Sequence, residues 1–120
     1  MISLFLILIF LVFDWLSNIF SDLCGNEIYK EVYSPNNKHK AIIFQRDCGA
    51  TTGFSTQISV IDSSKSLNND SGNIYVASGH PNQSNLQIKW SSNDTLVVIN
   101  HNSATQMKEA TAKGISIVYE

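Results

Sequence analysis

Residues 2–13 form an almost unbroken apolar run, ISLFLILIFLVF, and the chain that follows is polar and broken into short alternating stretches. The run predicts one hydrophobic helix, continued towards residue 20 by Trp15, Leu16, Ile19 and Phe20. From Glu27 onward the period falls to two. Thr56-Gln57-Ile58-Ser59-Val60 and Leu86-Gln87-Ile88-Lys89-Trp90 alternate cleanly, as strands with one wet face do. Strands are expected over 27–33, 40–46, 56–61, 73–77, 86–90, 95–100, 105–108 and 115–119. Ser34-Pro35-Asn36-Asn37-Lys38 between the first two is a turn: Pro presets φ and Asn tolerates the left-handed conformation. Ser91-Ser92-Asn93-Asp94 and Lys113-Gly114 mark further turns. No stretch of the body carries a helical period. The pattern predicts an all-β fold, a small antiparallel meander or sandwich of about seven or eight short strands, after one hydrophobic helix. It divides the chain into a front segment, 1–23, and a β-rich domain, 24–120.

Tyr33-Ser34-Pro35-Asn36-Asn37-Lys38 before Ala41-Ile42-Ile43 is echoed by Trp90-Ser91-Ser92-Asn93-Asp94-Thr95 before Leu96-Val97-Val98. Both look like turns that open the blades of propeller proteins. Two units cannot close a ring, so a shared hairpin solution is the expected cause.

Three readings compete for the front segment. As a cleaved secretory signal it has the right apolar length, but no Lys or Arg precedes it and no small-x-small site follows. As a retained anchor over 2–20 it rises about 28 Å, near the thickness of a bilayer's hydrocarbon core. Asp14 costs up to about 3 kcal/mol there, against a return of roughly 0.3 to 0.6 from each Leu, Ile, Phe and Val. Lipidation at Cys24 is rejected, because Leu23 and Asp22 spoil the small residues that precede a lipidated cysteine. The anchor is preferred over the signal. Lys30, Lys38, Lys40 and Arg46 all follow the segment, which by the positive-inside rule points the body inward. The cysteines point the other way.

Cys24 and Cys48 are the two cysteines of the chain. An even count beside an export segment suits one disulfide, and closing a loop of that length stabilises by roughly 3.5 kcal/mol. Eight Lys or Arg stand against ten Asp or Glu, with no run of like charge. A nucleic-acid partner is therefore not expected. His39, His80 and His101 are far apart and there is no C-x-x-C, so neither a metal nor another cofactor is expected.

The chemistry-bearing stretch is the loop 46–57, which gathers a cation, a carboxylate, hydroxyls and glycines. Arg46, Asp47, Thr51 and Thr52 are the expected binding residues. The competing structural reading has Gly49 and Gly53 turning the chain beside a disulfide while the threonines satisfy backbone groups. No catalytic residue is expected. Gly53-Phe54-Ser55-Thr56-Gln57 lacks the second glycine of a nucleophile elbow, and no Gly-Lys-Ser/Thr follows Gly49. A small hydrolase or a thiol enzyme built on this loop, and a plain structural spacer, are the alternatives to a binding or accessory module.

At Cys24-Gly25-Asn26-Glu27, Ser34-Pro35-Asn36-Asn37-Lys38 and Gln45-Arg46-Asp47-Cys48-Gly49-Ala50-Thr51-Thr52-Gly53-Phe54-Ser55-Thr56-Gln57 the chain resembles a group of small bacterial envelope proteins of unknown function. The likeness extends loosely over 24–120. It implies an exported bacterial domain of unknown function and transfers nothing about anchoring. From the front segment and the cysteines, the expected place is the membrane or the periplasm, with a protein partner in the envelope. It carries over no activity and no catalytic residues.

Overall fold

The computed structural model describes residues 2–21, 24–49, 53–83, 85–101 and 105–120. Helix α1 (Ile2–Ser21) forms where the apolar run predicts it. Its described side chains, at 3–13 and Trp15, are all exposed, the large apolar ones from 44% at Ile9 to 69% at Phe13. Among the described residues no helix is long and apolar enough to cross a membrane.

Nine strands follow among the described residues: β1 (Gly25–Tyr33), β2 (His39–Asp47), β3 (Phe54–Asp62), β4 (Tyr75–Ser78), β5 (Gln87–Ser92), β6 (Thr95–Ile99), β7 (Thr105–Lys108), β8 (Thr111–Ala112) and β9 (Ile115–Tyr119), with a 3-10 turn at Pro81–Gln83. All eight expected strands are present. The ninth, β8, has two residues and is too short to leave a period in the sequence. One sheet has the order β1-β2-β3-β4-β7 and the other β5-β6-β9-β8. The fold is thus the sandwich of the two expected forms. Every pairing is antiparallel except β6 with β9, which run parallel because the chain visits the first sheet as β7 and returns through β8.

The core lies between the sheets. Ala41, Ile43, Ile58, Val60, Tyr75 and Ala77 of the first meet Ile88, Leu96, Val98, Ile115 and Ile117 of the second. β2 is buried on both faces: its outward residues Ile42 and Phe44 are as inaccessible as Ile43. The connection over 63–74 accounts for this, because it folds back across the outer face of β3. Gly72 donates its N–H to the buried Gln57 side-chain oxygen at 2.6 Å. Asn73 bonds the Val60 amide and carbonyl at 2.8 and 2.7 Å. Since β4 pairs with β3 only as far as Ile58–Tyr75, the Asn73 amide prolongs the ladder by side chain where the backbone stops. The expected strand start at 73 moves to Tyr75 for that reason.

Both aromatic-Ser turns are hairpin turns, the first joining β1 to β2 and the second β5 to β6. In the first, Asn37 sits at φ 58°, and the Asn36 side-chain oxygen accepts from Lys38 N–H and Ser34 O–H.

Candidate functional site

The two ends of the β1–β2 pair differ in kind. One is the Ser34 turn. The other is open, and the disulfide Cys24–Cys48 bridges it one step beyond the Gly25–Asp47 pair. The expected bridge is therefore present, and it takes up both cysteine sulfurs of the chain. A thiol nucleophile at Cys48 has no thiol to use while it stands.

Arg46 lies on β2 two residues inside the bridge. Its register partner across β1 is Asn26, on the outer face. The guanidinium Nη1 donates to Asn26 Oδ1 at 2.8 Å and to Asn69 Oδ1 at 3.1 Å. The Asn69 amide donates to the Cys24 carbonyl at 2.8 Å, and the Asn26 amide to the carbonyls of Asn68 and Asp70 at 3.1 and 2.9 Å. These bonds strap the tip of the 63–74 connection to the bridged end of the hairpin. Asp47 acts locally: its carboxylate accepts the Gly49 N–H at 2.9 Å, where the chain turns out of β2 with Gly49 at φ 117°. Arg46 and Asp47 are adjacent but half-buried in different tasks. Thr51 and Thr52 lie outside the described residues. The partners Asn26 and Asn69, distant in sequence from Arg46, left no signal in the pattern; only the fold-back of 63–74 brings them together.

On the inner face, three adjoining cavities of about 280, 130 and 390 Å³ follow β1 from residue 25 to 30. Glu27 and Gln45 are shared by the first two, and Tyr29, Pro81 and Asn82 by the second and third. They form one groove along the gap between β1 and the 79–87 segment. His80 stands against it, Nδ1 2.7 Å from Gln45 Oε1 and its ring 4.1 Å from that of Phe54. The gap is closed at the far end, where the Trp90 indole N–H donates to the Val32 carbonyl at 2.9 Å. A further cavity of about 220 Å³ lies under the 63–74 connection, lined by Asp62, Lys65, Asp70, Asn73 and Lys113 among others. Among the described residues no group of three or more His, Cys, Asp or Glu stands where it could hold a metal ion.

Tyr119 has its hydroxyl pKa pushed up to about 12, and burial is the main cause. Its hydroxyl lies 2.9 and 2.8 Å from the carbonyl oxygens of Ile74 and Glu109 and donates to one or other of them. This ties the end of β9 to the β4–β7 end of the first sheet.

No curated protein and no solved structure matches the chain. The profile of a family of unknown function, DUF5412, matches residues 1–111, taking in α1 together with the sandwich through β7 and into the first residue of β8. The chain belongs to that family.

Proposed function

We propose that this protein is a membrane-associated binding or accessory module of the bacterial envelope, whose sandwich works on the oxidising side of the membrane and catalyses nothing. The observation that carries the reading is the state of α1: Leu4, Phe5, Leu6, Ile7, Leu8 and their neighbours to Phe13 and Trp15 expose roughly half or more of their surface, and no described part of the sandwich covers them. So much exposed hydrocarbon on one element is costly in water and favourable in lipid. The disulfide immediately after α1 supports an extracytoplasmic body, since such bridges persist in oxidising compartments. The family's span over helix and body together supports a helix that works with the sandwich.

The test is the full chain expressed in a bacterial host with an envelope. The expected outcome is membrane pelleting that survives alkaline carbonate, protease access to the sandwich from outside, and a non-reducing intact mass that contains the bridge. A mass including residues 1–23 assigns an anchor, and one lacking them a cleaved signal. Recovery in the cytosol with both thiols open to alkylation overturns the proposal.

A further inference from the structure

β1 ends its sheet: it pairs with β2 on one side and with no strand among the described residues on the other. It is also exposed along most of its length, with Ile28 at 49% and Tyr29 at 56%. A long edge strand of this kind is a template for another strand unless its charges repel the newcomer.

The charges on β1 have a particular arrangement. Residues three apart on a regular strand face opposite sides, because the side-chain period is two. β1 is not regular. Its register with β2 slips between Ile28 and Lys30, so that Glu27 stands opposite Gln45 and Lys30 opposite Ile43. Gln45 and Ile43 are two apart on β2 and share a face. The bulge therefore puts Glu27 and Lys30 on one face, the inner one, beside the groove. Both are exposed, and neither enters an ion pair among the described residues.

A bulge and edge charges usually guard a strand against pairing. Here they guard it against partners in general while suiting one in particular. When the same strand is laid antiparallel beside itself, a two-fold axis perpendicular to the sheet keeps each residue on its own face. Glu27 then meets Lys30 of the copy, Lys30 meets Glu27, and Ile28 and Tyr29 gather at the axis. Opposite charges facing each other across strands stabilise the pair, and like charges oppose it. We infer that β1 is a self-association edge, through which two copies of this chain join their five-stranded sheets. The inference is independent of where the protein resides. The contact is small for an interface, so the dimer is weak and concentration-dependent.

Sedimentation of the full chain in detergent micelles tests it, through charge reversals. Glu27→Lys alone sets two lysines against each other on both sides of the axis, and Lys30→Glu alone sets two acids together. Each is expected to weaken dimerisation by about tenfold or more. The double variant, Glu27→Lys with Lys30→Glu, restores both pairs and the dimer. An equimolar mixture of the two single variants forms a heterodimer that neither makes alone. Circular dichroism on each variant separates lost association from lost folding. A monomer at every concentration overturns the inference. So does a dimer indifferent to all four arms, which assigns the contact to α1 or another face. A wild-type monomer that nonetheless binds a foreign extended peptide at β1 gives the edge another occupant and also overturns it.

Discussion

The indole N–H of Trp90 on β5 donates to the carbonyl oxygen of Val32 on β1 at 2.9 Å, linking residues 58 apart in sequence and one edge of each sheet. Val32 turns its side chain into the core while its carbonyl faces across the gap between the sheets. The bond closes one end of the sandwich's open side, and the groove beside β1 occupies the remainder. Replacing Trp90 with Phe keeps a ring and removes the donor. A part-buried carbonyl left unpaired costs about 1 kcal/mol, expected as a lower denaturant midpoint with an unchanged slope.

The strap built on Arg46 predicts a local effect. Arg46→Ala removes two hydrogen bonds from the Asn26–Asn69 pair and frees the tip of the 63–74 connection. Hydrogen exchange of the amides over 66–71 is expected to rise strongly, with a global loss of only about 1 kcal/mol. Unchanged exchange there would show that Asn26 and Asn69 hold the connection without the guanidinium.

Gly72 is required by close approach. A Cβ there meets the Ile58 carbonyl oxygen at 2.6 Å and that of Tyr75 at 2.9 Å, both backbone atoms of paired strands. Neither can yield without disturbing the β3–β4 ladder. Gly72→Ala is expected to destabilise by roughly 1 to 3 kcal/mol, whereas Gly25→Ala, where a Cβ meets nothing within 4 Å, serves as the mild control. Thermal melts of the two variants check the contrast.

The bridge predicts a stability step. Cys24→Ala with Cys48→Ala reopens a loop whose ends are 24 residues apart, which the chain-entropy account values at about 3.5 kcal/mol. The β1–β2 register persists beyond Gly25–Asp47, so the double variant is expected to fold with a lower melting temperature. The same shift is expected on reducing the native protein.

Tyr119 gives the pH dependence its direction. Its folded pKa, about 12, lies above the ordinary value of 10 because burial disfavours the phenolate. Its contribution to stability is then complete below pH 10 and is lost as pH rises through 12. Tyrosine absorbance titrated on the folded protein is expected to show late ionisation from Tyr119, and that component vanishes in Tyr119→Phe. That variant also loses the bond to Ile74 or Glu109.

The candidate site was legible only in its local parts. Cys24 and Cys48 could be paired from their number and setting, and Gly49 could be read as turning the chain beside the bridge, a turn that the Asp47 carboxylate, expected to bind a partner, instead holds. The role of Arg46 was not legible, because its partners Asn26 and Asn69 are polar loop and edge residues with no distinguishing pattern. They become partners only when the connection over 63–74 lies down across β3.

By itself the sequence determined the segments: an apolar helix and eight alternating strands, with turns at Ser34, Ser91 and Lys113. Periodicity and turn chemistry are properties of neighbouring residues, so they survive in a single line of text. The tertiary structure alone decided how the segments are joined. It split the strands between two sheets, ran β9 parallel to β6, buried Ile42 and Phe44 on the outer face of β2, and turned Glu27 and Lys30 to one side of β1. Each of these follows from pairings between residues distant in the chain, whose balance of burial and hydrogen bonding no local pattern can encode.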